Sequence, residues 1–138
     1  MISFIQFLSE SANMGINVRS DNKAGISYAD HIVDGKKTME SRETNSLHPY
    51  IGKRVAIVKT GEGEAHAIGE VTVGNPIVVD EEGFRKHQEQ HLVPQGSQFD
   101  IKQGKTKHLY PMINPIRYNT PKKVGKGIIA RKVQNDNF

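Results

Sequence analysis

A chain of 138 residues is long enough for one domain with a modest hydrophobic core and too short for two independent ones. With 36% hydrophobic and 25% charged residues it has the balance of a folded soluble domain, and no apolar run approaches the roughly 20 residues of a membrane span. The absence of cysteine excludes disulfides, thiolate metal sites and cysteine nucleophiles, and the net charge of +4 hides an asymmetry along the chain.

Residues 1–10 place Phe4, Phe7 and Leu8 at helical spacing behind Ser3, a short capped helix outside the main fold. No basic segment with a signal-type apolar core is present, which predicts a cytoplasmic protein. Polar residues follow to Gly25, with a brief strand at Ile16 to Val18. Ser27 is placed to cap a helix over 28–34, with Asp30 at its third position, Tyr28/Ile32 and Ala29/Val33 as i,i+4 pairs, and Gly35 as its stop. In the next segment alternation sets Thr38, Glu40 and Arg42 on one face of a strand, so that two opposite charges share it.

Val55–Val58 and Ala67–Val73 read as strands joined through Gly61 to Glu64, with Gly69, Val71 and Val73 facing one way and Ile68, Glu70 and Thr72 the other. A helix is expected from about Glu81 to Leu92, weakened by Gly83 and stopped by Pro94. Leu109–Ile113 and Gly127–Val133 read as two more strands with a proline-bearing connection between them. The predicted architecture is α+β: a small barrel of four to six short strands with short flanking helices.

The last third is basic. Residues 1–100 carry ten Lys or Arg against fourteen Asp or Glu, whereas 101–133 carry nine basic residues, among them Lys122, Lys123 and Lys126, and no acidic one. Such a stretch favours polyanionic partners, and its other reading is a solvated face.

Gly35, Lys37, Glu40 and Arg42 fill the four fixed positions of a pattern that resembles the GxKxxExR signature of ASCH domains, members of the PUA-like superfamily. The preceding helix, the Gly52–Gly61 and Ile68–Gly74 segments, Tyr110, Asn114-Pro115, Pro121 and Gly125-Lys126-Gly127 are similar to the order of features in that family. The resemblance covers about residues 15–133, which leaves an appendage over 1–14 and a tail over 134–138. It implies a β-barrel with a cleft beside the motif, binding RNA or a nucleotide-like ligand without a cofactor. There Lys37 would neutralise a phosphate, Arg42 would offer its planar fork and Glu40 would accept from a base amine. Alternatively Glu40 and Arg42 pair and brace the barrel.

Tyr110 stands where the family often has tryptophan and is a stacking candidate, flanked by Lys107 and His108; the alternative is a half-buried barrel tyrosine. Some ASCH proteins are similar to amidohydrolases of N4-acetylcytidine and others to ribonucleases, which makes Lys37, Glu40, Glu89 and His91 the catalytic candidates. Glu40 holds the place of the amidohydrolase threonine and His91 that of its acid, with Glu89 nearby, so the hydroxyl group is missing. His87 and His91 have metal-compatible i,i+4 spacing without a third ligand, and no metal is expected.

Residues 1–10 resemble the capsid-targeting peptides of internal head proteins of large contractile-tailed phages, with Leu8-Ser9-Glu10 as the cleavage site. That resemblance implies a phage-encoded chain, located in the host cytoplasm or the virion and associated with a prohead. An amphipathic helix docked on the barrel is the other reading.

Overall fold

The computed structural model describes residues 12–124 and 130–132, the latter as backbone. The targeting peptide expected over residues 1–10 and the basic residue Lys126 lie outside the described residues.

Strand β1 (Met14–Arg19) leads through a bridged turn to helix α1 (Tyr28–Val33) and strand β2 (Met39–Arg42). A single helical turn over His48–Tyr50 precedes the hairpin β3 (Arg54–Thr60) and β4 (His66–Val73). Short strand β5 (Ile77–Val79), helices α2 (Glu81–Lys86) and α3 (Gln88–His91), and strands β6 (Lys107–Lys123) and β7 (Ala130–Lys132) complete the order. The strands make one mixed sheet in the order β2-β6-β4-β3-β1-β7, with β5 also on β6, curled into a half-barrel with the helices around it. Of these pairings only β1 with β3 is parallel.

Helix α1 starts and stops as its sequence dictates. The Ser27 hydroxyl accepts from the Asp30 amide, and Gly35 takes φ +80° just past the end. The Gly35 amide donates to the Ile32 carbonyl, while those of Lys36 and Lys37 both donate to the His31 carbonyl. This closure turns the chain back under the helix. The strand begins only at Met39, so Lys37 escapes the alternation and can join Glu40.

The core gathers Ile16 and Val18 of β1, Ala29, Ile32 and Val33 of α1, Val55 and Ile57 of β3, Val71 and Val73 of β4, and Leu109 and Met112 of β6. Ile68 joins this cluster, which corrects the strict alternation expected for β4. Register shifts on both sides of Gly69 rotate the strand locally. Gly69 itself is required by close approach: a Cβ there would lie 2.3 Å from the Ile116 carbonyl oxygen and 2.5 Å from Val33 Cγ1. On the opposite face Ala56, Val58, Ala67 and Tyr118 form a second cluster.

Two predicted elements differ. The helix expected over 81–92 breaks at His87, whose Nδ1 bonds the Gly83 carbonyl; Asp80 caps the first piece and Leu92 ends the second at φ 63°. The proline-bearing connection is part of one 17-residue strand, β6, because Pro115 and Pro121 fall where its register with β4 shifts from 113 to 116 and from 117 to 122. Its first half lies between β2 and β5, and its second half pairs with β4. Among the described residues no helix is long and apolar enough to cross a membrane.

Candidate functional site

A cavity of about 540 Å³ opens where the end of β1 faces β2. It is lined by Asn17–Arg19, Tyr28, Lys37, Glu40–Glu43, Thr60, Val93, Gln98, Phe99 and Lys107. That volume is in the range of small-ligand sites.

Three motif side chains form its charged wall. Lys37 is 1% exposed, and its ammonium donates to the His91 carbonyl at the end of α3, a group with no partner inside that helix. The same ammonium lies 3.6 Å from Glu40 Oε1 and 4.9 Å from the centre of the Tyr28 ring. Glu40 Oε2 accepts from Arg42 Nε at 3.0 Å, and an Arg42 amino group reaches across to the Asn17 carbonyl at 2.6 Å. Arg42 thereby ties β2 to β1 across the mouth of the half-barrel. Burial pushes the Lys37 ammonium down to about 8, against the opposing pull of Glu40.

The other wall is aromatic and apolar. Phe99 meets Tyr28 edge-on, with ring centres 6.0 Å apart, beside Val93 and Val18. The Tyr28 hydroxyl is buried without a partner among the described residues, and burial raises it to about 12. Gln98 anchors the Phe99 loop through Asp21 at 3.1 Å. Four cations (Arg19, Lys37, Arg42, Lys107) and two acids (Glu40, Glu43) line the cavity, a formal excess of two positive charges.

Lys37, Glu40, Arg42 and Lys107 therefore converge. Tyr110 does not line the cavity: its ring is fully enclosed in the core, and its hydroxyl meets His48 Nδ1 at 2.7 Å, which leaves no face for a base. His108 packs beside it, with ring centres 6.2 Å apart, also off the cavity. His91 is enclosed as well; its Nδ1 accepts from the Val93 amide and its Nε2 donates to the Phe84 carbonyl, so neither nitrogen is available for acid–base work. Burial holds its imidazole down at about 4. Glu89 is exposed on α3, outside the cavity. Lys122 and Lys123 lie at the far end of β6, with Lys123 3.6 Å from Glu64. Arg117, from the same basic stretch, is committed to Asp30 on α1 and to Asp34, which caps its C-terminus.

Sequence reasoning missed Phe99, Tyr28 and Ser41. A lone aromatic within the polar loop after Pro94 was the available signal for Phe99.

No protein-family model and no curated protein matches the chain. Solved structures do. The half-barrel is the small PUA-like fold of ASCH proteins. One solved protein it resembles is ASCH from Zymomonas mobilis, at 18% identity and a TM-score of 0.59 over 75% of this chain and 68% of that one. Two single-residue variants of that protein give TM-scores of 0.66 and 0.67 at 15% and 14% identity, over 88% and 90% of this chain and 89% of theirs.

Proposed function

We propose that the cavity binds a nucleotide, either as a base splayed out of single-stranded RNA or as a free modified nucleotide. The observation that carries this reading is the pairing of opposites in one space: a Glu40 carboxylate clamped between Lys37 and Arg42 faces the Phe99–Tyr28 wall. A base has an apolar face to lay on an aromatic ring and an edge of donors for a fixed carboxylate. The positive excess favours the phosphates that come with it. A fluorescence-anisotropy titration of a short single-stranded RNA tests the reading. Affinity is expected to fall as salt rises, and replacing Lys122, Lys123 and Lys126 with alanine should flatten that slope while binding persists. No binding at low salt, or binding indifferent to salt, would remove the RNA reading.

One observation favours a second reading, a small hydrolase of a modified nucleoside or of RNA. A lysine held at about 8 is partly neutral near physiological pH and suited to proton transfer. The rest of the cavity argues against it, since Glu40 stands where a hydroxyl would be required, His91 is sealed and Glu89 points elsewhere. Purified protein is expected to release no acetate from N4-acetylcytidine, and release that disappears in Lys37→Ala would reverse the order of the two readings.

A further inference from the structure

Two of the cavity's four cations are already committed. Lys37 is held by the His91 carbonyl and Glu40, and Arg42 by Glu40 and the Asn17 carbonyl. Arg19 is exposed at the rim. Lys107 differs from all three. It is only 5% exposed and lines the cavity, yet its ammonium has no hydrogen bond and no ion pair within 4 Å among the described residues. The carboxylates that act on it, Glu43, Glu40 and Asp100, do so at longer range, and burial lowers its pKa. The ammonium lies 6.0 Å from the centre of the Phe84 ring, and a desolvated ammonium with no hydrogen-bonding or ionic partner beyond that ring is unfavourable unless an anion completes its shell.

The ladder places a second group beside it. Ser41 lies opposite Leu109 and Arg42 opposite His108. Alternation then puts Ser41, Glu43, Lys107 and Leu109 on one face of the β2–β6 pair and Glu40 with Arg42 on the other. Ser41 and Lys107 are diagonal neighbours, about 7–8 Å apart along the ladder and within reach of a long side chain. The Ser41 hydroxyl is buried, lines the cavity and has no partner among the described residues. A hydroxyl donor and an ammonium, neither with a hydrogen bond among the described residues, thus border the same space.

We propose that Lys107 and the Ser41 hydroxyl form an anion subsite that holds the phosphate of the ligand, so that the cavity selects nucleotides over bare nucleosides. This rests on the nucleotide reading above: Glu40 and the Phe99 wall take the base, and Lys107 reads the charge. Glu43 is the competing neighbour. It is exposed and outside ion-pair distance, so a phosphate with two formal charges can displace its influence.

Isothermal titration with the four ribonucleosides, their 5′-monophosphates and inorganic phosphate tests the subsite. The native protein should bind at least one monophosphate ten times or more tighter than its nucleoside. Lys107→Met should bring that ratio near one while leaving nucleoside affinity in place, Lys107→Arg should keep most of it, and Ser41→Ala should fall between. Glu43→Gln should tighten phosphate binding; a loss there would make Lys107 a partner of Glu43. If Lys107→Met fails to fold, Lys107→Gln replaces it. A monophosphate preference that survives removal of the Lys107 charge overturns the subsite, as does equal affinity of native protein for nucleoside and nucleotide. Phosphate binding lost in Lys107→Met, without binding of any nucleoside or nucleotide, would keep the subsite and sink the nucleotide reading. Failure of the native protein to bind any phosphate compound would overturn the subsite itself.

Discussion

Replacing Glu40 with alanine is expected to destabilise the fold by about 3–5 kcal/mol, the range for removing one partner of a buried ion pair. The size of the effect comes from what stays behind. Lys37 is 1% exposed, and its ammonium would keep only the His91 carbonyl and the Tyr28 ring. Arg42 would lose the carboxylate that fixes it across the gap between β1 and β2. The double variant Lys37→Met, Glu40→Leu should recover most of the loss, because removing both charges also removes their desolvation.

A pH signature separates this from simple loss of packing. Lys37 sits at about 8 in the folded protein against an ordinary 10.5. Between these values the unfolded chain holds a proton that the folded chain has released, so stability attributable to Lys37 rises with pH across the window. That difference corresponds to an increment on the order of 3 kcal/mol. Below pH 8 the folded state bears the full penalty of a buried ammonium. Urea titrations from pH 7.5 to 10.5 should show this rise in native protein and lack it in Lys37→Met. A native-like melting curve for Glu40→Ala would show that the three charges are not coupled.

Phe99→Ala should weaken nucleotide or RNA binding by about 1–3 kcal/mol, roughly 5- to 150-fold, with little loss of stability. Phe99 is only partly buried and sits at the periphery of the core, packed edge-on to Tyr28, so its removal opens the cavity more than it disrupts the barrel. Phe99→Tyr, which keeps the ring, should retain binding. Anisotropy titrations of both variants against native protein decide the matter. Equal loss in the two, or none in Phe99→Ala, would remove the ring from the binding surface.

Local signals were legible in the chain wherever the controlling contacts are themselves local. Ser27, Asp30 and Gly35 act within one helix and its two caps, so both ends of α1 were readable. The motif spacing likewise brought Lys37, Glu40 and Arg42 to one place, although Lys37 arrives through the turn after α1 and not by strand alternation. What eluded the sequence depends on distant partners. Strand β5 is three residues long and exists because Leu109, His108 and Lys107 pair with it. The prolines of β6 argue against a strand until its register shifts are known. Tyr110, a stacking candidate in the sequence, is enclosed in the core, while Phe99, for which no role was expected, lines the cavity, for the same reason. Position along a strand tells which face a ring takes, but the enclosure of Tyr110 by the core, and the proximity of Phe99 to Tyr28, follow from chain segments far apart in sequence.

The basic stretch divides in the structure. Lys107 lines the cavity, Arg117 clamps α1 through Asp30 and Asp34, and Lys122 and Lys123 stand at the opposite end of β6. Under the proposed reading, charge along the sequence serves binding and architecture together, and the salt dependence of binding is expected to be smaller than the count of basic residues implies.

The central claim, that ligand enters between the Glu40 clamp and the aromatic wall, is tested most directly by titrating ¹⁵N-labelled protein with a short single-stranded RNA. Amide shifts should move saturably and together at Met39–Glu43, Gln98, Phe99 and Lys107, and these changes should shrink in Phe99→Ala. Shifts confined to Lys122 and Lys123, with the cavity residues unmoved at saturation, would contradict it.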